Sequence, residues 1–120
     1  TAPLNGYIIY ANDANIWQSW IYNSAGISQT LSGPNVQVGK WVFLVTTYDG
    51  SVSRFYVNNI LYETSAPFTL GKNTTKPLRI GAGSTEGAPT FFFNGLTDDV
   101  RIYNRALSQG EITQLYKMGK

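Results

Sequence analysis

Between Lys40 and Thr64 three apolar, β-branched and aromatic runs alternate with two short turns, a pattern that admits little but antiparallel strands. The run Trp41 to Tyr48 in "KWVFLVTTYDG" carries no charge. Both of its faces are apolar, with Trp41, Phe43 and Val45 on one and Val42, Leu44 and Tyr48 on the other. That predicts a central strand covered on both sides, as between stacked sheets, with Trp41 and Phe43 in the core. Asp49-Gly50 supplies a turn into "SRFYV" (53–57). Asn58-Asn59 then makes a tight two-residue hairpin into "ILYET" (60–64), because asparagine tolerates positive φ.

The same signals recur on either side. "YIIYAND" (7–13) and "NIWQSWIYNSAG" (15–26) are strands punctuated by Asn, Asp and Gly. "PLRIGAG" (77–83), "TFFFNG" (90–95) and "LTDDVRIYN" (96–104) are further strand candidates, the last two separated or kinked at Gly95. No internal repeat, low-complexity tract or interdomain linker stands out. Helical spacing first appears at Leu107. Ser108 is a good N-cap, Glu111 completes a capping box, and Leu107 and Ile112 occupy the positions of a hydrophobic staple. Ile112, Leu115 and Tyr116 then share one face. The expected fold is all-β: a jelly-roll sandwich of two antiparallel sheets closed by one short C-terminal helix.

Composition removes several function classes. A chain of 120 residues fits a single domain, 1–120, and folding would remove roughly two-thirds of its extended surface from water. Charged residues make up 13% and aromatics 14%, the opposite of a disordered chain. Nine basic and seven acidic residues are scattered, with no basic run to follow a phosphate backbone, so nucleic acid is not an expected partner. Cysteine and histidine are absent, which removes disulfides, thiolate chemistry and the commonest general base. A metal would have to be held by oxygen, which favours calcium or magnesium. The apolar runs are too short for a membrane span. The sequence lacks an initiator Met and a signal peptide, and reads as a piece of a longer or processed protein.

Taken in order, "VGKWVFLVTTYDGSVSRFYVNNILYET", "PLRIGAG" and "FNGLTDDVRIYNRALSQGEITQLY" resemble the laminin-G-like, concanavalin A-like jelly roll common in bacterial secreted and surface proteins. The likeness runs from about Val38 to Tyr116. In that family a W-hydrophobic-TYDG strand precedes a YVNG-type hairpin, and a G-x-I-D-E-V-R-I-Y-N-R-A-L-S stretch leads into the helix. The hairpin here is Asn58-Asn59 where Asn-Gly or Asp-Gly is usual. Family members also begin with further strands, including an FDG-x-D-D-Y segment, that have no counterpart before "TAPLNGYIIY". A sheet edge left open in this way is a template for another chain or segment, so a partner completing the sandwich is expected. The resemblance implies a secreted or cell-surface setting. It also implies a structural calcium near the "IDEV" strand, held by an acidic side chain there with backbone carbonyls and an Asp from the N-terminal segment, a role that maps onto Asp98 or Asp99.

The acidic residues are Asp13, Asp49, Glu63, Glu86, Asp98, Asp99 and Glu111. Glycoside hydrolysis needs two carboxylates about 5 to 10 Å apart. The similar jelly-roll glucanases carry E-x-D-x-x-E on one strand, and no such run exists here, so no enzyme is expected. On a strand Asp98 and Asp99 point to opposite faces. Besides calcium, they have the option of bonding backbone N–H groups or of pairing with Arg101 or Arg105.

Aromatic residues offer more. Ile16, Gln18, Trp20 and Tyr22 share one face of their strand, with Trp17, Ser19 and Ile21 on the other. Gln18, Trp20 and Tyr22 would make a mixed aromatic and amide platform for a sugar, extended by Arg54, Tyr56 and Tyr62, unless these rings serve sheet packing. Glu86, in the loop 84–89, is a further candidate contact. Phe91, Phe92 and Phe93 cannot all face one core and suggest an interface. Asn73-Thr74-Thr75 is a glycosylation sequon, meaningful only in a eukaryotic secretory pathway. The leading expectation is a non-catalytic, lectin-like module that binds a polysaccharide or glycan. A structural or protein-binding module of an extracellular assembly is the alternative.

Overall fold

A computed structural model of the chain describes residues 5–83 and 90–119. The described residues fall into two compact units, one within residues 5–72 and 103–119 and one within residues 73–83 and 90–102. The first holds six strands and a helix in the order β1 (Tyr7–Ala11), β2 (Ile16–Tyr22), β3 (Ser28–Asn35), β4 (Leu44–Tyr48), β5 (Ser53–Val57), β6 (Ile60–Thr64) and α1 (Gln109–Met118). These form two antiparallel three-stranded sheets, β1-β2-β3 and β4-β5-β6.

The turns follow from their residues. Asn12 accepts the N–H groups of Ala14 and Ile16 through Oδ1, at 3.0 and 2.9 Å. Asn23 does the same for Ala25 and Ile27, at the same two distances. The fourth residue of each turn, Asn15 or Gly26, takes positive φ. "NDANI" and "NSAGI" are therefore one local device used twice, a short repeat hidden by its differing letters. Asn58 and Asn59 both take positive φ, 49° and 68°, as the expected two-residue hairpin requires.

The two sheets stack on Trp17 and Leu31 from one and Phe55 and Val57 from the other, with Val36, Val42 and Leu44 packed around them. Ser19 and Thr46 hydroxyls bond across the layers at 2.7 Å. Gly33 makes the close approach possible: a Cβ there would lie 3.0 Å from the Phe55 ring and 3.1 Å from Val57.

Two expectations need correction. The central strand of the second sheet is β5, not the run 41–48. That run contributes the edge strand β4, which begins only at Leu44. Trp41 precedes it and is 68% exposed, outside the core. Phe43 is half-buried, its ring 5.8 Å from that of Tyr116. Conversely, β3 forms from "SQTLSGPN", a stretch with little strand propensity.

The helix begins as expected. Ser108 caps it, and the box closes in both directions, from Glu111 N–H to Ser108 Oγ at 3.2 Å and from Ser108 N–H to Glu111 Oε1 at 3.0 Å. Ile112 is fully buried, and Gln109 and Thr113 both donate to Asn59 Oδ1 at 2.9 Å, which fixes α1 to the β5–β6 hairpin. This helix is too short to cross a membrane, and none among the described residues is long and apolar enough.

In the second unit, residues 77–83 and 90–102 are not strands. One antiparallel bridge joins Gly83 and Thr90, and Phe93 N–H reaches Gly81 O at 2.8 Å. Phe91 and Asp99 take positive φ, which interrupts the extended runs on which the strand expectation depended.

Candidate functional site

β2 splits its side chains as its alternation demands. Trp17, Ser19 and Ile21 are buried toward the second sheet. Ile16, Gln18, Trp20 and Tyr22 are half-buried on the outer face. Register brings neighbours to them. Tyr10 and Ile8 of β1 stand opposite Gln18 and Trp20, and Ser32, Thr30 and Ser28 of β3 stand opposite Gln18, Trp20 and Tyr22.

The outer face is organised around Trp20. Its ring meets Tyr10 edge-on, with centroids 4.9 Å apart, and Tyr22 edge-on at 6.1 Å. The Tyr10 hydroxyl donates to Gln18 Oε1, and Gln18 Nε2 donates to Ser32 Oγ at 3.0 Å. This chain fixes the Gln18 amide across three strands. Burial raises the Tyr10 pKa, against an opposing contribution from Trp20 and with smaller ones from Asp13 and Tyr22 adding to it. The face thus combines ring surface with amide and hydroxyl groups, the chemistry that suits a sugar's C–H faces and hydroxyls.

Arg54, Tyr56 and Tyr62 do not extend this platform. They lie in the second sheet, on β5 and β6. Arg54 donates to Asp49 Oδ2 at 2.8 Å. Tyr56 is buried, 4% exposed. Tyr62 falls where the β5–β6 register shifts and is exposed. Glu86 lies outside the described residues.

Sequence reasoning missed a feature beside the platform. The edges of β3 and β6 bound a cleft of about 330 Å³, with Ser28, Gln29 and Thr30 on one side and Glu63, Thr64 and Ser65 on the other. Glu63 Oε2 accepts the Ser32 N–H at 2.8 Å, which satisfies a donor on the outer edge of β3. The cleft has one carboxylate and so lacks the acid pair of a glycosidase. Its signal in the sequence was the density of hydroxyls in "SQTLS", visible only once β3 is known to be a strand.

Asp98 and Asp99 are exposed in the second unit. Asp98 Oδ1 accepts the Asp99 N–H at 2.8 Å, and Asp99 has a φ of 51°. Arg105, in the first unit, bonds Glu111. Among the described residues no third acidic side chain joins them. Calcium takes about six to eight oxygens, so this pair as placed does not fit a closed calcium site.

No curated protein matches this sequence. In fold it is similar to the 2.1 Å crystal structure of an S-layer domain-containing protein (residues 221–444) from Clostridium thermocellum ATCC 27405, at a TM-score of 0.52 and 18% identity. That likeness covers 97% of this chain and 65% of the other, and concerns the fold alone. A family model, Laminin_G_3 of the concanavalin A-like lectin/glucanases superfamily, matches residues 2–113. With its two stacked antiparallel sheets, the chain belongs to that family.

Proposed function

We propose that the chain is a non-catalytic carbohydrate-recognition module acting outside the cell, with the outer face of β1-β2-β3 as its binding surface. One observation carries this reading. Trp20 and Tyr22, with Tyr10, stand half-exposed among Gln18, Ser32 and Thr30, and none of these takes part in the core. Apolar ring surface beside fixed hydrogen-bonding groups is the usual make-up of a ligand site. The test is a glycan array probed with the intact chain and with Trp20→Ala, with and without calcium. Binding by the wild type and its loss by roughly tenfold or more in a folded Trp20→Ala variant is the expected result. A folded wild type that binds no glycan ends the reading.

A second reading, a structural part of a surface assembly, is favoured by another observation. Phe91, Phe92 and Phe93 are 85%, 74% and 49% exposed. Contiguous apolar surface of that kind marks interaction sites, and the structurally similar protein is an S-layer domain protein. Sedimentation at rising concentration tests it: self-association that Phe92→Ser removes supports the assembly role.

A further inference from the structure

We infer that the ligand of this site is a neutral polysaccharide whose chain leaves the Trp20 platform across β3 and enters the β3–β6 cleft, where Glu63 accepts its hydroxyls. The inference rests on the carbohydrate reading of that face. Three observations carry it. The platform and the cleft are continuous: Thr30 and Ser28 are the register partners of Trp20 and Tyr22, and both also line the cleft. Five of the eight residues lining the cleft carry a hydroxyl or an amide, Leu31 and Ala66 add apolar surface, and Glu63 spends one carboxylate oxygen, Oε2, on the Ser32 N–H. Its other oxygen has acceptor capacity for a hydroxyl donor.

Charge decides the class of sugar. The outer-face positions Ile8, Tyr10, Gln18, Trp20, Tyr22 and Thr30 include no lysine or arginine, and among the described residues none lines the cleft. Uronates and sulfated sugars are bound by cations that meet their charge. Among the described residues the charge lining the cleft is Glu63 and Asp13 lies near Tyr10, both negative, while Arg54, the register partner of the cleft residue Thr64, is already paired with Asp49. An anionic chain would meet repulsion with no compensating partner, whereas neutral hydroxyls supply the donors that a carboxylate wants.

The test is affinity electrophoresis of the intact chain through gels containing dextran, mannan, xylan or mixed-linkage β-glucan, and through gels containing polygalacturonate, alginate or heparin. Each polymer is run with wild type and Trp20→Ala at moderate salt, so that attraction due only to the positive net charge is recognised by its independence of Trp20. The expected result is Trp20-dependent retardation by at least one neutral polymer and by none of the anionic ones. Glu63→Gln, whose amide oxygen still accepts the Ser32 N–H, should weaken the neutral polymer roughly tenfold with the melting temperature unchanged. Thr30→Val on the exposed edge of β3 provides a second readout should the Glu63 variant melt early. Trp20-dependent retention by anionic polymers that equals or exceeds that by neutral ones overturns the inference and leaves the carbohydrate reading standing. So does neutral binding that neither variant weakens. A folded chain retained by no polymer of either kind overturns both.

Discussion

Residues 28–35 and 96–104 behave in opposite ways. "SQTLSGPN" contains no β-branched apolar residue and includes both a glycine and a proline, yet it forms β3. "LTDDVRIYN" alternates Val100 and Ile102 with Arg101 and reads as a strand, yet its backbone is not in a ladder and Asp99 turns it at positive φ. Propensity describes how a side chain suits a pleated, half-buried surface, and it cannot supply the surface. β3 has its ladder prepared: Asn23 sets the turn that returns the chain along β2, and six register pairs follow. Pro34 is tolerated because β3 is an edge, and Gly33 because Phe55 and Val57 occupy the space its side chain would need.

The contrast predicts that the unpromising stretch matters most to stability. Leu31 is 4% exposed and belongs to the cluster with Trp17, Phe55 and Val57. Leu31→Ala should cost about 3 kcal/mol, read as a lower urea midpoint at an unchanged slope. A loss below about 1 kcal/mol would mean that β3 is not the strand joining the two layers, and the comparison would collapse.

What the residues announced in advance was whatever they decide locally. The alternation of "IWQSWIY", the positive-φ asparagines at 58 and 59 and the box from Ser108 to Glu111 each depend on neighbours in sequence, and each is present. Trp41 was misplaced because an uncharged run says that a segment can be buried, not what covers it. The cleft at Glu63 was unreadable for a related reason. Its two walls, β3 and β6, are brought together by sheet stacking, and no spacing in the chain encodes that. The repeated turn at Asn12 and Asn23 was hidden because asparagine and glycine share one backbone preference under different letters.

Acid provides a smaller perturbation, at a place where local pattern and partner agree. Hydrogen bonds from Arg105, together with those from Ser108, hold the Glu111 pKa down from 4.5 to about 2. Backbone N–H groups of Val52 and Ser51, with Arg54, lower Asp49 from 3.8 to about 2. A depressed folded pKa means stabilisation that is complete above the unfolded value and lost as pH falls through the folded one. The urea midpoint should therefore decline between about pH 4.5 and pH 2. Glu111→Gln should flatten part of that decline while leaving β3 and the sandwich core unaffected. An identical pH profile in the variant would show that the cap carries no such linkage.

The smallest expected effect tests the other half of the contrast. Val100 and Ile102 are 51% and 64% exposed, and among the described residues no strand pairs with their segment. Substituting threonine at both positions keeps β-branching and solubility and removes apolar surface of which more than half is already in water. The double variant Val100→Thr and Ile102→Thr should therefore change stability by less than about 0.5 kcal/mol, measured by the same urea titration at neutral pH. Threonine fits a strand as well as valine does, so backbone propensity cannot mask the result. A loss of about 2 kcal/mol or more would mean that this alternation faces a covered surface in solution, and that the segment finds a ladder of the kind β2 provides for β3.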